Sequence, residues 1–135
     1  MHRRLTVCPD ARCITIVHRE EPWDTEGLIV KADIQKIEDL KGRTIATPRG
    51  STSHFQLVYF LHLLKLTDSV TVRLAQPSEL EGLWRAGTID GAYVWSPHLV
   101  RLRAAFDAQT LLTGSAVSQL GAPTFDGYHF VIDAR

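Results

Sequence analysis

The chain switches repeatedly between two hydrophobic periods, and the switches mark its elements. Short, β-branched runs occur at "CITIV" (13–17), "GLIVK" (27–31), "RTIATP" (43–48), "VTVRLA" (70–75), "DGAYVW" (90–95), "QTLLT" (109–113) and "GYHFVID" (127–133). Turn residues bound most of them, and Pro48 stops the third, so each predicts a strand. Helical spacing governs the intervals. "IEDLKG" (37–42) predicts a short helical turn ended by Gly42. From Phe55 to Leu66 the run is long and apolar, with His54, His62 and Lys65 near one face, which predicts a helix buried on most sides. "PSELEGLWRAG" (77–87) has Pro in its first turn, acids early, Leu80, Leu83 and Trp84 on one face, and Gly87 as a C-terminal cap. "SPHLVRLRAAF" (96–106) places Ser96 as N-cap and Pro97 at the first helical position.

Strand and helix alternate from 43 to 113, which predicts an α/β fold with three layers: a mostly parallel sheet with flanking helices. Ligands of such sheets bind beyond the carboxyl ends of the strands, at helix N-termini. Three loops answer that description: 48–53, 75–78 and 95–98. Residues 1–13 read as an irregular segment ahead of a single domain over 14–135. There are no internal repeats and no low-complexity tracts.

Composition narrows the function. The 135 residues suffice for one domain with a core, and 44% are apolar. Lys+Arg and Asp+Glu are equal at 15 each. Zero net charge argues against a nucleic-acid or membrane-surface partner, so any anion site must be local. Cys8 and Cys13 are too few for a disulfide framework, and C-x4-C lacks a second ligand pair for zinc. His54, His62, His98 and His129 show no metal-ligand spacing. No run approaches the roughly 20 apolar residues of a membrane span. The start, "MHRRLTVCPDARCITIV", has an Arg pair but no apolar stretch behind it, so it reads poorly as a secretory signal.

The candidate chemistry lies in "TPRGSTSHF" (47–55). Ser51, Thr52, Ser53 and His54 stand at the mouth of the long helix, where N–H donors are unpaired and carry partial positive charge. Hydroxyls there add donors, and Gly50 lets the backbone approach closely. The arrangement suits an anion. The alternative is that Ser51 is simply an N-cap. Arg49 reads as a solvated loop residue. Ser51, His54 and Asp126 could be drawn as a triad, but GSTSH is not the G-x-S-x-G elbow, so the chain is not read as an enzyme.

Taken in order, "IQKIEDLKGRTIATPRGSTSHFQL", "LAQPSELEGLWRAGTIDGAYVWSPHLVRL" and "GAPTFDGYHFV" resemble the taurine-binding periplasmic proteins, the substrate-binding components of taurine ABC importers. The resemblance covers about residues 14–133. "DLKG-R-IA-P" is common to many type II periplasmic binding proteins, whereas "GSTSH", "G-IDGAYVWSP" and "GAPTFD" point to the taurine branch. The family implies a two-lobed fold with its ligand in the cleft between lobes. It implies a periplasmic location, ABC permease subunits as partners, taurine or another alkylsulfonate as ligand, and no cofactor. Its members are about twice this length. The chain therefore reads as one ligand-binding lobe (about 35–115) with hinge strands (about 27–31 and 127–133), a truncated form.

The resemblance makes Ser51 and Thr52 ligands of a sulfonate, with Ser53 and His54 beside them. Phe55 stands where the family has Tyr. Trp95, at a strand end, becomes an aromatic wall for the two-carbon chain or the ammonium, the alternative being a core aromatic. Tyr93, two residues deeper, reads as core. Asp126 is the first candidate to hold the amine and Glu26 the second; for Asp126 the alternative is a turn acid. Other readings are a family remnant that no longer binds, an enzyme like the thiamine-pyrimidine synthases of the same superfamily fold, and the sensing domain of a LysR-type regulator. If the partner lobe is missing, the edges of "GLIV" and "HFVI" would be bare, which predicts self-association through them.

Overall fold

The computed structural model describes residues 12–17, 25–120 and 127–132. The chain divides into two compact units. In the smaller one, β1 (Arg12–Val17) runs antiparallel to β7 (Gly127–Ile132), from Arg12 opposite Ile132 to Val17 opposite Gly127. The other unit carries the remaining elements.

Its elements follow the periods of the sequence closely. β2 (Glu26–Val30), β3 (Thr44–Thr47), β4 (Thr71–Leu74), β5 (Gly91–Trp95) and β6 (Gln109–Thr113) form one sheet in the order β4-β3-β5-β2-β6. The helices are α1 (Thr52–Leu63), α2 (Leu80–Arg85), α3 (His98–Phe106) and α4 (Gly114–Gln119). A 3-10 turn at Pro77–Glu79 leads into α2; Glu79 reaches back 2.7 Å to accept the Gln76 N–H, so the acid closes the turn that the proline opens. α3 begins at His98, two residues past Ser96, whose N–H instead donates to the Thr25 carbonyl at 2.7 Å.

The alternation of side chains along the strands sorts the core into two halves. Leu28, Val30, Ile45 and Tyr93 face one way and pack with Leu57, Phe60 and Leu61 of α1 and Val117 of α4. Ile29, Ala46, Ala92 and Val94 face the other way, toward Leu80 and Trp84 of α2 and Leu99 and Leu102 of α3. This is the expected three-layer α/β arrangement. The Trp84 and Phe106 rings stack at 5.6 Å and tie α2 to α3.

Two expectations need correction. β3 runs parallel to β4 and β5, but β2 is antiparallel to both of its neighbours, β5 and β6. Four strands therefore share one direction and β2 alone is reversed. Strand and helix alternation cannot reveal this, because β2 lies ahead of the alternating region. "GLIV" is accordingly no bare-edged hinge strand: it is hydrogen-bonded on both sides, and self-pairing through it is excluded by that pairing. The second correction concerns α1, which is not buried on most sides. Phe55 is 50% exposed and Val58 45%, while the polar Gln56 is buried. Gln56 is tolerated there because its Oε1 accepts the Tyr93 hydroxyl at 2.7 Å.

A clamp closes the end of the sheet where β3 and β5 begin. Asp90 Oδ2 accepts the Thr44 N–H at 3.0 Å; Oδ1 lies 3.3 Å from Lys31 Nζ and 3.7 Å from Arg43. Arg43 also pairs with Asp33 at 2.8 Å, a hydrogen bond that raises the guanidinium pKa above its ordinary value. One carboxylate thus joins the end of β2 and the starts of β3 and β5. The opposite end of the sheet is left free for other chemistry.

Candidate functional site

The reversal of β2 matters because it brings the start of that strand to the end where the other four finish. Glu26 is the register partner of Trp95, the last residue of β5, and Gly27 pairs with Thr113, the last residue of β6. Thr47 ends β3 at the same edge and feeds the loop 48–51 into α1. Residues from four separate stretches of sequence therefore meet at one end of the sheet: Glu26, Ser51–His54, Trp95, and Thr113–Ser115.

The start of α1 is built as a capped helix. The Ser51 hydroxyl accepts the His54 N–H at 3.1 Å and donates to the Pro48 carbonyl at 2.6 Å. Its backbone is extended, as an N-cap requires. Gly50, with φ of +70°, makes the turn that aims the loop into the helix, and its N–H donates to His54 Nδ1 at 3.2 Å. The N-cap alternative for Ser51 is therefore realised in the structure.

The next two hydroxyls converge on a carboxylate. Thr52 Oγ1 lies 3.0 Å from both oxygens of Glu26, and the fully buried Ser53 donates to Glu26 Oε2 at 2.6 Å. Hydroxyls expected to stand open to a ligand are thus engaged with Glu26. A carboxylate at a helix start is favoured by the unpaired N–H groups and the dipole, by ~0.3–1 kcal/mol at the surface and more when partly buried. Its presence changes what the site can accept. A second unit anion about 4 Å away would meet a repulsion of ~4 kcal/mol at the effective dielectric of a protein surface. A ligand that carries a positive group as well escapes that penalty.

Beneath this lies a buried polar layer. Gln56 and Tyr93 are hydrogen-bonded, and the Thr47 hydroxyl donates to the Tyr93 carbonyl at 3.0 Å. Tyr93 is fully buried, as its period predicts. Trp95 is half-buried, and its ring meets His98 edge-on at 5.9 Å. It is therefore neither a core residue nor a free surface one. Gly114 sits close to Glu26: a Cβ there would come within 3.4 Å of the Glu26 carbonyl and 3.5 Å of Gln56 Oε1. Thr113 caps α4 by accepting the Ala116 N–H at 3.3 Å.

The structure therefore brings together Glu26, Ser51, Thr52, Ser53, His54 and Trp95. Asp126 lies outside the described residues. Sequence reasoning missed Gln56 and Gly114, neither of which carries a motif; the fold places Gly114 against both Glu26 and Gln56. Arg49 is exposed, in keeping with a loop residue. Among the described residues no cluster of His, Cys, Asp and Glu could hold a metal ion, and no helix is long and apolar enough to cross a membrane.

No protein-family profile matches the chain. It is 40% identical over 104 residues to the taurine-binding periplasmic protein of Escherichia coli K12, covering 76% of this chain and 32% of that protein. It is 28% identical over 108 residues to a putative aliphatic sulfonates-binding protein of the same organism, covering 76% of this chain and 34% of that one. Among solved structures, the periplasmic aliphatic sulphonate binding protein SsuA from Escherichia coli superposes with a TM-score of 0.68 at 18% identity, over 87% of this chain and 38% of that chain. The alkanesulfonate-binding protein SsuA from Xanthomonas axonopodis pv. citri, bound to MOPS, gives 0.66 at 26% identity, over 78% and 36%. The chain spans about a third of the length of these relatives. The fold they share with it is one α/β lobe of a periplasmic binding protein.

Proposed function

We propose, from the premise that this chain is a homologue of the taurine- and sulfonate-binding periplasmic proteins, that it is a solute-binding chain for taurine or a related small sulfonate. It would act as the substrate-binding component of an ABC import system in the periplasm, with the permease subunits as partners. The observation that carries the reading is the convergence of Glu26, the α1 start and Trp95 at the carboxyl end of one sheet. Binding there needs no bond chemistry: hydrogen-bond donors, a carboxylate and an aromatic wall recognise charge and shape. The Ser51 hydroxyl is committed to Pro48 and His54, so the Ser51–His54 contact serves as a helix cap.

Calorimetric titration of the purified chain with taurine tests the proposal, with ethanesulfonate and β-alanine as controls. Saturable binding of either sulfonate, tighter than β-alanine, supports it. Absence of heat at millimolar ligand refutes it and leaves the non-binding remnant as the reading. Strand-edge self-association is proposed only for the outer edges of the β1–β7 ribbon, which have no strand partner among the described residues. A single, concentration-independent monomer in sedimentation velocity at micromolar protein would remove it.

A further inference from the structure

We propose that the outward face of α1 is the surface through which two copies of this chain pair, antiparallel about a two-fold axis, with Phe55, Val58, Tyr59 and His62 as the seam. The inference does not rest on the sulfonate reading. Its ground is a helix with two apolar faces. Ser53, Gln56, Leu57, Phe60 and Leu61 form the buried side. On the opposite side Phe55, Val58, Tyr59 and His62 fall at i, i+3, i+4 and i+7, which is one stripe of a helix. Phe55 is 50% and Val58 45% exposed, and His62 is exposed as well. The patch is continuous. The Phe55 and Tyr59 rings lie 6.1 Å apart, and the Tyr59 hydroxyl donates to the carbonyl of Leu120, itself 46% exposed.

The neighbouring helices present charge to the solvent. α2 shows the Glu81–Arg85 ion pair, and α3 shows Arg101 and Arg103. The stretch Thr52–Leu63 of α1 includes no Asp, Glu, Lys or Arg. Apart from Val100, every large apolar side chain left exposed among the described residues lies on α1, at its C-cap Leu64, or at Leu120. A helix apolar on both faces is stable where both are covered. Two features point to a second copy as the cover. An uncharged stripe meets its own image without like-charge repulsion, and zero net charge adds none at longer range. Antiparallel pairing is also complementary. Centred between Val58 and Tyr59, it sets Val58 against Tyr59 of the second copy, small beside large, and Phe55 against its His62. It brings the exposed Lys65, just past α1, toward the other α1 start, where Glu26 carries its charge beside Thr52 and Ser53. The patch is small, on the order of 400 Å² per copy and about 800 Å² in all, short of the ~1,200 Å² of stable complexes. The pair should therefore be weak and reversible, with a Kd of about 10 µM to 1 mM.

Sedimentation velocity and light scattering on the full chain, from about 10 µM to about 1 mM, test the inference. The weight-average mass should rise from monomer toward dimer. Val58→Lys sets two like charges near the two-fold axis and should weaken the association at least about tenfold. Its urea midpoint should stay that of the parent chain, because the position is exposed. Val58→Glu should weaken the association equally, and an equimolar mixture of the two variants should restore it as a heterodimer. That restoration requires the two faces to meet each other, so neither misfolding nor a different partner produces it. Phe55→Lys mixed with His62→Glu should associate more tightly than either variant alone, as the antiparallel register requires. A monomer at about 1 mM overturns the inference. So does association that Val58→Lys leaves intact, as pairing of the β1–β7 edges would be, or a mixture of the position-58 variants that stays monomeric.

Discussion

Removing the Asp90 carboxylate should open the sheet at the end opposite the candidate site. The side chain is 23% exposed and makes three contacts: the Thr44 N–H at 3.0 Å, Lys31 at 3.3 Å and Arg43 at 3.7 Å. The first is a charge-assisted bond to a strand amide, worth ~1.5–3 kcal/mol. The two ion pairs are partly exposed, so each is discounted to ~0.5 kcal/mol, and Arg43 keeps its partner Asp33. Asp90→Ala should thus cost about 3 kcal/mol. Asp90→Asn keeps an acceptor for Thr44 and loses the charge, so it should cost about 1 kcal/mol. With a urea slope of ~1.5 kcal/mol per molar, the midpoints in far-UV circular dichroism should fall by about 2 M and about 0.7 M. Salt supplies a second readout. In 1 M NaCl, where the Debye length is about 3 Å, the Asn deficit should shrink and most of the Ala deficit should remain. Equal midpoints for the two variants would refute the reasoning, because the amide contact would then contribute nothing beyond charge.

Other substitutions probe the remaining joints. Ser51→Ala removes the cap on the His54 N–H and should cost about 1 kcal/mol in urea denaturation, with Ser51→Gly costing only a few tenths. Gly91→Ala puts a Cβ 2.6 Å from the Ile29 carbonyl. It should destabilise by about 2–3 kcal/mol and lower hydrogen-exchange protection of the β2 amides first. Tyr93→Phe strands the buried Gln56 Oε1 and should cost about 2 kcal/mol, part of which Gln56→Leu in the same chain should restore. Trp84→Ala deletes a ring buried against Phe106 and should cost about 3–5 kcal/mol, read as a lowered midpoint with loss of the near-ultraviolet signal.

The elements of this fold are legible in the sequence because each is announced locally. Pro48 and Gly50 mark the passage from strand to helix, and the residues 77–87 carry a start, an apolar face and a stop. Even so, nothing local announces α4, since "GSAVSQ" is short and continues directly from a strand. The direction of β2 is not a local property. It depends on which strands flank it, and both flanking strands lie far along the chain. The candidate site follows the same division. The hydroxyls at 51–53 are visible as a motif, but their engagement with Glu26 is visible only once register is known. The cover of α1 is illegible for a related reason: its pattern is apolar nearly all round, and such a pattern does not say which face the sheet covers.

The reversed strand also orders the events of folding. β3, α1 and β4 are contiguous and can associate as soon as they leave the ribosome. β2 precedes them all, yet its only sheet neighbours are β5 and β6, the last strands of its unit to be synthesised. Closing those long loops is what slows such topologies. Until then "GLIV" is an unpaired apolar strand in a growing chain, the kind of segment through which nascent proteins aggregate or engage chaperones. Glu26 begins that strand, so the candidate site is assembled in the same late step that pairs β2.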